Sequence, residues 1–141
     1  RPDGSLQLSL NHYSYGAAVG WLFKVMTGIK WDLNSPGYGH FYFSPHPGGD
    51  IDFANAEFNS PFGWIRSKWT KKAHDGMYIY EFTIPPNTTA TVILPILKVC
   101  SLHFQGMEIK ESEIIHNLKK NAKEILFDLG SGIYTFETMH Q

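Results

Sequence analysis

A single cysteine, Cys100, stands in the 141 residues, so no internal disulfide can form and the redox compartment stays open. Charge is scarce and balanced: 13 Asp and Glu face 12 Lys and Arg, for a formal net charge of −1. That balance gives nucleic acid or an anionic membrane nothing to hold, and neither is expected as a partner. No apolar run is long enough to span a bilayer, and no secretory leader is legible. Internal repeats and low-complexity segments are missing too. The length alone is that of one domain able to bury a core without staples. A chain opening Arg1-Pro2-Asp3-Gly4 nevertheless reads as part of something longer. Aromatics are plentiful at 15%, which suits a β-rich core or a sugar-facing surface.

The catalytic patterns that sequence can show are also missing. There is no Gly-x-Ser-x-Gly elbow for a serine nucleophile. Seven histidines form no His-Glu-x-x-His, and a proline bend separates His40 from His46, so no metal or other cofactor is expected. Glycoside hydrolysis needs two placed carboxylates. Asp50 with Asp52 and Glu57 with Glu81 are the available pairs, and Asp50 follows Gly48-Gly49 in a turn. Solvated turn residues are the plainer reading, and no catalytic pair can be named.

What organises the chain is the run Ala17 to Gly28, with one charge, Lys24, in about three turns or roughly 18 Å of helix. A surface helix shows a polar face, and this one shows almost none, so burial is expected, with Trp21 in the core. Gly28 is a suitable terminator, because glycine takes the left-handed conformation past a helix end. Asn11-His12-Tyr13 and Tyr15 put polar and aromatic groups at the helix entrance, a way to wall a pocket.

Beyond residue 30 the period turns strand-like, after a turn-rich linker over 31–37. Strands are expected over 40–44, 51–58, 62–71, 77–84, 89–94, 99–104, 125–129 and 134–136. In 62–71, Ile65, Ser67 and Trp69 share one face, while Trp64, Arg66 and Lys68 share the other. Trp69 is therefore expected inside. Trp64 is the best candidate for an exposed sugar-stacking platform. About eight strands with regular turn signals make an antiparallel β-sandwich, so the fold class is mainly β with one leading helix. Residues 111–124 also fit a helical period through Ile114, Ile115, Leu118 and Ala122.

The ordered set Ser9-Leu10-Asn11-His12-Tyr13-Ser14-Tyr15-Gly16, Trp21-Leu22, Gly28-Ile29, Pro36-Gly37-Tyr38 resembles the end of bacterial α-L-rhamnosidases of glycoside hydrolase family 78. His40-Phe41, Pro47-Gly48-Gly49, Asn59-Ser60-Pro61, Trp69 and Ile84-Pro85-Pro86-Asn87-Thr88-Thr89-Ala90 continue the likeness, which covers 9–136. The resemblance implies that residues 1–30 end a catalytic (α/α)6 barrel and residues 31–141 form a C-terminal β-sandwich. It implies loop and strand over 111–124. It implies as partners the upstream barrel of the same polypeptide and a terminal α-L-rhamnose, released with inversion by barrel carboxylates that lie upstream. This chain alone is then expected to be inactive, bracing the barrel and lending one wall of the rhamnose pocket. His12, with Asn11, matches the residues that reach the sugar. An independent carbohydrate-binding sandwich is the alternative.

Overall fold

The computed structural model describes residues 13–73, 76–95 and 100–140. Helix α1, Tyr13–Trp21, widens into a single π turn over Leu22–Met26. Eleven strands follow among the described residues. They are β1 (Ile29–Trp31), β2 (His40–Phe43), β3 (Phe53–Ser60), β4 (Gly63–Lys71), β5 (Tyr78–Ile84) and β6 (Thr89–Pro95), then β7 (Cys100–Phe104), β8 (Met107–Glu108), β9 (His116–Lys120), β10 (Glu124–Leu129) and β11 (Gly132–His140). They build two sheets, ordered β1-β2-β6-β10-β9 and β3-β4-β5-β11-β7-β8. All neighbours are antiparallel except β2 and β6. A parallel pair cannot be closed by a hairpin, so the chain crosses to the six-stranded sheet for β3 to β5 and returns.

Period-2 alternation puts Ile65, Ser67 and Trp69 of β4 inside with no exposed surface. Tyr78, Tyr80, Phe82 and Ile84 of β5 face the same interior. Rings from the two sheets interdigitate: Phe43 stacks on Phe82 at 4.5 Å between centroids, and Phe127 meets Phe136 at 5.1 Å. Burying an aromatic or aliphatic side chain of this size contributes about 1.5–3 kcal/mol, so this seam is what joins the sheets.

Several expectations differ from what the chain does, among them β8, which no expected strand covered. Residues 29–31, placed at the edge of a linker, form β1, with Ile29 opposite Phe43 and 1% exposed. Three residues are too few for alternation to be legible. Trp21, expected in the core, is 56% exposed, because the described part of this chain puts no apolar layer over that side of α1. Residues 111–124 form turns and β9, as the family likeness implied. The Ser112 hydroxyl takes the N–H groups of Ile114 and Ile115, and the Asn121 side chain takes those of Lys123 and Glu124. Such side-chain bonds compete with helix, whatever the apolar spacing.

A polar seam crosses the outer face of the five-stranded sheet. Thr91 Oγ1 donates to Asp128 Oδ1 at 2.5 Å, and Asn117 Nδ2 donates to Asp128 Oδ2 at 2.7 Å. With its proton committed, Thr91 Oγ1 accepts from His40 Nε2 at 3.2 Å, and His40 Nδ1 then accepts from Thr89 Oγ1 at 2.7 Å. The seam pins the parallel β2–β6 pair to β10. Asp128→Ala removes the acceptor of two donors and is expected to cost about 1–3 kcal/mol. Urea unfolding should show this as a lower midpoint at unchanged slope, and an unmoved midpoint would make the seam decorative.

Candidate functional site

The C-terminal end of the helix meets the sandwich at a junction where the backbone accounting can be completed. The last carbonyls of a helix have no partner within it. Here Thr27 Oγ1 donates to the Phe23 carbonyl at 2.6 Å and the His46 N–H to that of Val25 at 3.1 Å. The Trp69 indole N–H donates to Met26 O at 2.7 Å, the Ser67 hydroxyl to Thr27 O at 2.5 Å, and the Ser44 N–H to Gly28 O at 2.8 Å. Five carbonyls are thus capped, four of them by groups from β4 and the 44–46 turn. Gly28 has φ of 75°, the left-handed turn anticipated for it, and is fully packed. Phe23 leans on Phe58 of β3 with centroids 6.5 Å apart, and Phe58 in turn packs on Tyr38 at 4.7 Å. Burial pushes the Tyr38 phenol above its ordinary pKa.

Beside this junction runs an apolar groove of roughly 350 Å³, lined on the helix side by Val19, Leu22 and Met26 and on the strand side by Ile51, Phe53 and Ala54. Of these, Val19, Leu22 and Phe53 are each at least 48% exposed. Contiguous apolar surface of this kind marks an interaction site.

The other sequence candidates fall elsewhere. His12 and Asn11 lie outside the described residues. Trp64 stands exposed on the outer face of the six-stranded sheet, on the parity read for it, and the Arg66 guanidinium lies 5.8 Å from its ring centroid. The carboxylates considered as a pair are occupied: Glu57 meets Arg66 at 3.3 Å and Glu81 meets Lys68 at 2.5 Å. Asp50 and Asp52 are exposed in the loop before β3. His46 Nδ1 bonds the Ser44 carbonyl at 2.9 Å, and His40 belongs to the seam already described. Sequence reasoning missed the donors at the junction, although a buried indole N–H must find an acceptor, and that rule would have posed the question for Trp69.

Residues 28–101, just over half of the chain, match the family model described as the bacterial alpha-L-rhamnosidase C-terminal domain. The match begins at the junction glycine. An alpha-L-rhamnosidase of Formosa agariphila is 30% identical over 132 residues, which are 94% of this chain and 14% of that protein. One of Streptomyces avermitilis is 34% identical over 99 residues, or 67% of this chain and 9% of that protein. The chain therefore spans a small part of the curated relatives it matches. Among solved structures, the alpha-L-rhamnosidase from Dictyoglumus thermophilum superposes over 90% of this chain and 14% of its own, with TM-score 0.75 and 26% identity. That of Streptomyces avermitilis, complexed with L-rhamnose, superposes over 97% of this chain and 12% of its own, with TM-score 0.71 and 27% identity.

Proposed function

Because this chain belongs to the bacterial α-L-rhamnosidase C-terminal domain family, we propose that it is the closing part of such an enzyme, in which the sandwich clamps the end of the last catalytic-barrel helix. Residues 1–30 are then the barrel's terminal segment, and the sandwich from the junction onward is the brace. The observation that carries this reading is the capped helix end. A sandwich that merely followed the barrel would need no buried Trp69 and Ser67 aimed at Met26 and Thr27. The apolar groove along Val19, Leu22 and Phe53 is where part of the barrel seats, and exposed Trp21 finds its cover in the barrel as well. His12 and Asn11, at the other end of the helix, form one wall of the pocket for a terminal α-L-rhamnose. The acid and the base of hydrolysis lie upstream of this chain, so binding contributed here assists the reaction only by positioning.

The clamp is tested in the intact enzyme by Ser67→Ala combined with Trp69→Phe. Both changes leave the Met26 and Thr27 carbonyls without their donors, at about 1–3 kcal/mol each, and Trp69→Phe also removes part of a fully buried ring. Amide exchange over residues 22–28 is expected to accelerate at least tenfold while that of β5 and β11 holds. We expect kcat/KM on an aryl α-L-rhamnoside to fall about tenfold, or 1.4 kcal/mol. Unchanged exchange with unchanged turnover would remove the brace from the enzyme's working parts.

A further inference from the structure

The outer face of the six-stranded sheet carries a second groove, unrelated to the junction. Trp64 and Gly63 of β4, Thr83 of β5, Pro85 and Pro86 of the following turn, and Ile133 of β11 line about 440 Å³ of open space. That is within the ~300–1,000 Å³ typical of small-molecule sites. Three features make it more than a scatter of exposed apolar residues. First, the indole is held: Arg66 lies over one side of it at 5.8 Å and is itself tied to Glu57 at 3.3 Å. Second, the opposite wall is fixed. The Tyr134 hydroxyl reaches the carbonyls of Gly130 and Ser131 at 3.2 and 3.3 Å, which pins the turn that delivers Ile133. Ile133, the second residue of β11, is 80% exposed and adds apolar surface to this wall. Third, Gly63 sits at φ of 121°, a backbone conformation that favours glycine, and so adds no side chain to this end of the groove.

The chemistry of the lining selects the ligand. Arg66 and Lys68, the cations of β4 on this face, are both paired to carboxylates, so no net charge attracts an ion. The polar side chains in the lining, Thr83 and Ser131, are neutral. An aromatic plane with neutral hydrogen-bonding groups fits a sugar ring. The prolines and Ile133 add a mainly apolar end, where a hydroxyl would be desolvated with little return. A 6-deoxyhexose places a methyl group there.

We propose that the groove between Trp64, Pro85–Pro86 and Ile133 binds a 6-deoxyhexose residue such as L-rhamnose, with its ring against the indole and its methyl on the proline–isoleucine end. The choice of L-rhamnose rests on the family reading given above. The groove is shallow, so affinity for a single sugar is expected to be weak, with Kd on the order of 1 mM.

Titration of the 141-residue chain with methyl α-L-rhamnoside, followed by the ¹⁵N–¹H correlations of its four tryptophan indoles, reads the site directly. The Trp64 indole and the Thr83 and Ile133 amides are expected to shift and saturate together. The Trp69 indole, buried and bonded to Met26 O, should stay still. Methyl α-L-mannoside differs only by a hydroxyl on C6 and is expected to bind at least fivefold more weakly. Trp64→Ala should weaken rhamnoside binding about tenfold, with the remaining cross-peaks unmoved to show that the fold persists. Absence of saturable shifts at Trp64 overturns the site, and equal binding of the mannoside overturns its ligand. None of these readings involves turnover, so the site and the enzymatic reading given above can fail separately.

Discussion

Gly28→Ala is expected to cost this chain about 3–5 kcal/mol, a large part of the 5–15 kcal/mol that holds an ordinary domain together. Two penalties combine. Gly28 has φ of 75°, where an L-alanine is disfavoured by about 1–2 kcal/mol. Steric contact costs more: a Cβ there would stand 2.1 Å from the nitrogen of Pro45 and 2.1 Å from the carbonyl carbon of Ser44. Both are backbone atoms, so no rotamer change makes room. The 44–46 turn must retreat, and with it go the Ser44 and His46 N–H groups that cap Gly28 and Val25. At roughly 3–4 °C per kcal/mol for a chain of this size, the melting point should fall by about 10–20 °C. Gly49→Ala is the control. It shares a positive φ, 65°, but has nothing within 4 Å of its added Cβ, so only the conformational penalty remains. If calorimetry finds the two variants melting within a few degrees of each other, the close approach is not what makes Gly28 necessary.

That junction also separates what the sequence could say from what it could not. Gly28 as a terminator and Trp69 as a core residue were both legible, one from its conformational freedom and the other from strand alternation. Their connection was not, because Trp69 and Met26 stand 43 positions apart and Ser67 and Thr27 stand 40 apart. Local pattern has no access to a hydrogen bond closed by tertiary folding. Trp21 shows the opposite error. The absence of a polar face on 17–28 was real, but periodicity says only that a surface wants cover, not that the cover is in the same chain. Trp64 was readable because one rule suffices: on a strand, sharing parity with Arg66 and Lys68 means facing water. The groove around it was not readable, since Pro85, Pro86 and Ile133 reach it from two other segments. Over 111–124 the apolar spacing favoured helix and the family likeness favoured loop and strand. The side-chain bonds of Ser112 and Asn121 explain why spacing lost.

In the intact enzyme, His12→Ala is expected to lower kcat/KM on an aryl α-L-rhamnoside about a hundredfold, or 2.7 kcal/mol of transition-state stabilisation, with little change in melting temperature. His12 stands in the Asn11-His12-Tyr13 motif, at the position the family likeness assigns to the sugar pocket. Helix α1 begins at the next residue, Tyr13, and about 20 Å further on its end is fixed to the sandwich by Trp69 and Ser67. If the barrel seats this helix along its length, as proposed, its mouth is presented in one place, and an imidazole there would be pre-positioned rather than searching. The ring offers one donor and one acceptor near neutral pH, enough to hold a sugar hydroxyl or orient a carboxylate, and alanine offers neither. Tyr13→Phe should be milder, because it keeps the ring and removes one hydroxyl. Combining His12→Ala with the Ser67→Ala, Trp69→Phe pair tests the linkage. If the clamp acts through His12, the triple variant should be little worse than His12→Ala alone, whereas independent effects would multiply to about a thousandfold. A His12→Ala enzyme that melts early yet keeps its activity per folded molecule would make His12 a structural residue of the helix entrance.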